Sequence, residues 1–237
     1  MNILNLLIDG SVGSGNVVTF TFFIGCMAMM AASVFFFLEM NGHDKKWRTS
    51  ILVSGLITFI AAVHYWYMRE YYIETGTSPT FFRYVDWILT VPLMCVEFYL
   101  ILKAAGAQKS LMWKMIWLST VMLVAGYVGE SIDPANAQLW GLLAGLAYFW
   151  VVYEIWLGGA SKLAASAGGA VHKAHKALCW FVLVGWAIYP IGYMAGTEGW
   201  YSGIFGGLDM DVIYNVGDAI NKIGFGLVVY QLACDSK

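Results

Sequence analysis

Charge is scarce in this chain. Of its 237 residues only 12% are charged, 13 basic and 15 acidic, while 60% are apolar. With a mean hydropathy of +0.68, that balance excludes an ordinary soluble domain. No run of basic residues is interleaved with aromatics and the formal net charge is −2, so nothing points to nucleic acid. The four cysteines, Cys26, Cys95, Cys179 and Cys234, lie one each in separate apolar runs without CxxC spacing or neighbouring histidine ligands. They read as small buried hydrophobes, and no metal site is expected. The alternating segments of an outer-membrane barrel are missing, as is any internal repeat of fixed period. The opening MNILNLLIDGSVGSG has no positive region before its short apolar stretch, so it does not resemble an intact signal peptide.

What the chain has instead is long apolar runs. A membrane-spanning helix takes about 20 apolar residues, and seven runs are legible at about 16–40, 50–72, 81–103, 111–130, 137–158, 177–196 and 210–234. The expectation is an all-α bundle of seven transmembrane helices forming one membrane domain over 1–237, in contact with lipid. The Gly/Ala/Ser-rich stretch GGASKLAASAGGAVHKAHK reads as a loop. Lys45, Lys46, Arg48, Lys103, Lys109, Lys114, Lys162, Lys173, Lys176 and Lys237, 10 of the 13 basic residues, fall on one side. Lysine and arginine are retained on the cytoplasmic side, which predicts the N-terminus outside and the C-terminus inside.

Ionisable groups within the runs are costly unless paired, and so they mark function. In the third run Arg83, Asp86, Thr90 and Glu97 are spaced 3, 4 and 7 apart, one helical face. Asp86 and Glu97 are then separated by about 16 Å along the axis, at 1.5 Å per residue, which makes them steps of a proton path. In the seventh run Asp218 precedes Lys222 by one turn. A buried lysine with carboxylates nearby meets the requirement of a Schiff base, whose charged form needs a counterion; a set of structural salt bridges is the plainer alternative. Trp186, Tyr189, Pro190 and Tyr193 share a stripe on the sixth run, with Trp87 on the third and Tyr214 on the seventh. Together they outline a slot for a conjugated apolar ligand, although such a stripe also serves plain core packing.

RYVDWILTVPLMCVEFYLIL and DVIYNVGDAINKIGFGL carry a resemblance to the microbial rhodopsins, and within them to the proteorhodopsins. KWRTSILVSGLITFI, HYWYMREYYIETGTSPTFFRY, GYVGES, YEIW and WAIYPIGY extend it, in order, over nearly the whole chain. The resemblance implies a seven-helix protein binding all-trans-retinal that exports protons in light, a transporter rather than an enzyme. It implies that Lys222 forms the retinal Schiff base, and that Asp86 is primary counterion and proton acceptor. It further implies that Asp218 is the second counterion, Arg83 the arginine beneath the pair, and Glu97 the cytoplasmic proton donor. Thr90 completes the Asp, Thr, Glu pattern of outward proton pumps. His64 matches a histidine that hydrogen-bonds the counterion, and Trp87, Met94, Trp186, Tyr189, Pro190 and Tyr193 match pocket positions.

Met94 matches the position where, in the family this chain resembles, an apolar residue goes with green absorption and glutamine with blue, so the resemblance implies green absorption. Glu130 and Glu198 are the candidates for proton release. Gly141 matches a position where glycine opens a lateral window, implying a carotenoid antenna; close helix packing is the alternative. The family also implies a pentamer or hexamer with His64 near a protomer interface, in a bacterial inner membrane. Two other classes stand beside the pump: a sensory photoreceptor signalling to a partner, against which Glu97 argues, and a retinal-free transporter.

Overall fold

The computed structural model describes residues 17–205 and 208–236; the opening segment weighed against a signal peptide lies outside them, as does Lys237. Among the described residues seven helical spans are long and apolar enough to cross a membrane: Val17–Gly42, Lys45–Thr75, Thr80–Ala105, Lys109–Ile132, Pro134–Ala167, Gly169–Gly196 and Met210–Asp235. Consecutive spans pack side by side, and the seventh closes the bundle against the first, second and sixth. The stop after the second span is local chemistry: Gly76 adopts φ +66 and its N–H bonds Tyr72 O, a left-handed cap that a residue with a Cβ resists.

Side chains are distributed inside out relative to a soluble bundle. Leu139, Leu142, Leu146, Phe149 and Trp150 of the fifth span are exposed, whereas Arg83, Asp86, Thr90, Glu97, Asn215, Asp218 and Lys222 are buried. An apolar exterior around a polar interior is the arrangement a lipid solvent selects, because charged groups are stable there only with partners.

The stretch GGASKLAASAGGAVHKAHK is not a loop. It continues the fifth span as helix Gly159–Ala167 and begins the sixth as helix Gly169–Trp180. Alanine favours helix wherever no breaker intervenes; the stretch is irregular only at Gly158, a bend before Gly159–Ala167, and at the turn of Gly168 and Gly169, both at positive φ. The sixth span is interrupted where Pro190 demands it. Proline lacks an N–H and its ring crowds the carbonyl one turn earlier, and the chain there passes through a π-helical turn at Phe181–Gly185. The loosened carbonyls find side chains: Tyr148 donates its hydroxyl to Val182 O and Leu183 O, both at 3.0 Å. Asn221 donates its amide to Gly185 O at 2.8 Å. A break in a membrane helix persists when neighbours re-satisfy the backbone in this way.

Candidate functional site

The regular helix Thr80–Leu102 places Arg83, Asp86, Thr90 and Glu97 in the bundle interior, and the helix Met210–Asp235 brings Asp218 and Lys222 to meet Asp86. Lys222 Nζ donates to Asp86 Oδ2 at 2.8 Å and to Asp218 Oδ2 at 2.5 Å. The two carboxylates are not equivalent. Asp218 also accepts the hydroxyl of Tyr65 on Oδ2 at 3.1 Å and that of Tyr189 on Oδ1 at 2.6 Å. Asp86 Oδ1 is buried without a hydrogen-bond partner among the described residues. Asp218 thus holds three donors, whereas the open oxygen of Asp86 can take a proton without breaking a hydrogen bond.

Around this centre Trp87 sets its ring edge-on to Tyr189 and Tyr214, with centroids 4.8 and 5.2 Å apart. Met94 and Trp186 are each 1% exposed, and Pro190 is partly buried beside Tyr189. Tyr193 is held by a hydrogen bond from its hydroxyl to Ala137 O at 2.6 Å. The site fits retinal on its donor set. It offers a buried primary amine able to condense with an aldehyde, two carboxylates to hold the resulting nitrogen charged, an unused carboxylate oxygen beside it, and the aromatic side chains of Trp87, Tyr189 and Tyr214 packed together next to the acids.

One expectation changes, and two residues gain partners that the spacing did not specify. His64 Nδ1 lies 3.8 Å from Asp86 Oδ1, beyond hydrogen-bond range, and donates to Ile60 O at 2.9 Å. The main-chain carbonyl one turn back competes for the only proton on that nitrogen. The Thr90 hydroxyl is turned to the backbone, Asp86 O, at 2.9 Å, as threonine in a helix readily does. Arg83 does not sit on the counterions: its Nη2 donates to Asp211 Oδ1 at 2.7 Å and Asn215 Oδ1 at 2.9 Å. Asp211 was not singled out from the sequence, though it stands two turns before Asp218 on the same helical face, so spacing carried the signal. Tyr65 and Ser54, which come from the second span, gave no such signal.

Farther along the third span Glu97 is fully buried. It accepts the Ser54 hydroxyl on Oε1 at 2.8 Å, and Oε2 has no partner among the described residues. On the opposite side of the counterion cluster Tyr84 donates to Glu130 Oε2 at 2.9 Å, while Glu198 lies exposed in a loop. The space a side chain at Gly141 would take is occupied by Tyr193, whose Cε1 lies 2.7 Å from an ideal Cβ. Glycine there permits this close approach.

Among the described residues seven apolar spans enclose a buried amine between two acids, with a third acid farther along the helix of Asp86, the build of a polytopic helical membrane protein. The sequence matches the family model described as bacteriorhodopsin-like protein over residues 16–236, and the chain belongs to that family. It is 44% identical over 214 residues to the green-light absorbing proteorhodopsin of Gamma-proteobacterium EBAC31A08, covering 90% of this chain and 85% of the relative. Its fold matches the crystal structure of blue light-absorbing proteorhodopsin from Med12 with a TM-score of 0.78 at 39% identity, over 94% of this chain and 100% of that one. Xanthorhodopsin, a light-driven ion pump with dual chromophore, matches with a TM-score of 0.79 at 29% identity, over 96% and 95% of the two chains.

Proposed function

We propose that this chain is a light-driven proton pump that carries all-trans-retinal on Lys222 and moves protons outward. The observation that carries the reading is Lys222 Nζ held between Asp86 and Asp218, with Glu97 buried three turns along the same helix as Asp86. Retinal bound there supplies a light-driven change of shape that redirects the proton on the lysine nitrogen. Asp86 receives that proton on its open oxygen. Asp218, held by the hydroxyls of Tyr65 and Tyr189, stays beside the nitrogen as its second counterion. Glu97, buried without an ion pair among the described residues, is protonated at rest and refills the nitrogen from the other side. With the basic residues inside, the Asp86 end of the path opens outward and the Glu97 end opens to the cytoplasm.

Light on cells expressing the chain is expected to acidify the medium for as long as illumination lasts, and a protonophore abolishes the change. A sensor gives no sustained acidification. Replacing Glu97 with Gln removes the donor but keeps the shape of the side chain. Refilling of the nitrogen, followed as recovery of the visible band after a flash, should slow by about 100-fold or more, the usual contribution of a positioned acid. An unchanged recovery contradicts the donor role.

The finer parts of the reading rest on single positions. Met94, buried and apolar, supports green absorption. His64, with its side chain 18% exposed at the bundle surface near exposed Trp66 and Tyr67, supports a protomer contact in a pentamer or hexamer within a bacterial inner membrane. The carotenoid antenna rests on Gly141 alone: Tyr193 fills the space beside that glycine, as the close-packing alternative requires, so the antenna needs its own test. Excitation of the retinal emission through an added hydroxylated carotenoid is the readout, and bound carotenoid without transfer ends that part.

A further inference from the structure

We propose that Asp211 is a positioning residue that sets how readily Asp86 takes a proton, acting through Arg83. The proposal rests on the assignment of Asp86 as acceptor and adds to it a control from outside the counterion cluster. Arg83 lies three residues before Asp86 on the same face of the third span, yet among the described residues it forms no ion pair with Asp86 or Asp218. It turns away from both. The guanidinium is held by Asp211 and Asn215, and it lies 5.1 Å from the ring centroids of both Phe22 and Tyr214. Ser78 donates its hydroxyl to the same Asp211 oxygen at 2.9 Å.

Asp211 is thus the carboxylate between a buried arginine, 3% exposed at its side chain, and the outer surface; its own side chain is 15% exposed. The consequence for the centre is electrostatic. With Arg83 engaged outward, Lys222 faces Asp86 and Asp218 with one positive charge against two negative ones, and that surplus favours a proton on Asp86. The other titratable or charged groups in this region are His64, whose Nδ1 lies 3.8 Å from Asp86 Oδ1, with Tyr65 and the Arg69 and Glu70 pair of the second span, Tyr84 of the third, Glu130 of the fourth, Tyr189 of the sixth and Tyr214 of the seventh. Glu130 is engaged by Tyr84, and Arg69 by Glu70 at 2.8 Å. Asp211 is the carboxylate that directly pairs with Arg83 among the described residues.

Neutralising Asp211 removes one negative charge and frees Arg83 to swing toward the counterions. Both effects make Asp86 harder to protonate. The test is a visible-absorption pH titration of the retinal-loaded protein, in which protonation of Asp86 shifts the band. Asp211→Asn, and Asp211→Ser as a second variant should the first not fold, are expected to lower the midpoint by about one pH unit or more, the size expected when an opposite charge approaches a carboxylate. Asp211→Glu keeps the midpoint near that of the parent, and Arg83→Gln raises it. In the Arg83→Gln background Asp211→Asn moves it much less, because the cation it acts through is gone. A midpoint that stays put or rises in Asp211→Asn, or an equal shift in both backgrounds, overturns the proposal. Failure of the underlying reading looks different: no colour forms with retinal, or the transition survives Asp86→Asn.

Discussion

Asp86→Asn is expected to reduce light-driven acidification to background while the protein still colours with retinal. The geometry separates the two outcomes. Lys222 keeps its hydrogen bond to Asp218 at 2.5 Å, so a charged nitrogen still has an anion and the pigment can form. What disappears is the oxygen able to accept the proton. Asparagine matches aspartate in shape but offers only a weakly basic amide, and loss of a positioned base typically costs 100-fold to 10,000-fold in proton transfer. Deprotonation of the nitrogen should therefore become too slow to sustain transport. Asp218→Asn makes a useful contrast, because it weakens the site by structure. The hydroxyls of Tyr65 and Tyr189 both donate to that carboxylate, and an unmatched buried donor costs about 1 to 3 kcal/mol. Unchanged pumping by Asp86→Asn, measured in vesicles with a pH dye, contradicts the acceptor assignment.

Lys222→Ala is expected to abolish colour altogether. An alanine cannot condense with an aldehyde, and its loss also strips Asp86 and Asp218 of their shared cation. Breaking a buried pair by removing one partner destabilises by about 3 to 5 kcal/mol, unless the orphaned carboxyls take up a proton. Lys222→Arg divides these two effects. The guanidinium restores the charge and several donors, so the apoprotein should regain stability, yet it forms no imine under these conditions and the sample should stay colourless. Thermal unfolding of the apoproteins reads the first effect and absorbance after retinal addition reads the second. Stable colour in either variant contradicts covalent attachment at this lysine.

The spans and their buried faces were legible because each rests on local rules. Helical spacing put Asp86 with Glu97 and Asp218 with Lys222, and both sets face inward as that spacing requires. Pro190 announced an irregular sixth helix, but the placing of the π-helical turn before it depended on Tyr148 and Asn221, donors from two other spans. The Gly/Ala/Ser stretch misled because its composition fits both a loop and an alanine-rich helix broken at Gly168. Arg83 shows the limit of family resemblance and spacing together. Its position beneath the counterions was legible, whereas its direction was set by Asp211 and Asn215 across the helix interface. His64 likewise stood in the right place, yet its ring proton went to the carbonyl of Ile60.

The most direct test follows the proton itself. After a flash, time-resolved infrared absorption should show a protonated carboxyl band rising with the same time constant as the visible signal for loss of the proton from the Lys222 nitrogen. That band should be missing in Asp86→Asn. A carboxyl band that persists in the variant, or that rises at a rate unrelated to the visible change, would contradict transfer from Lys222 to Asp86.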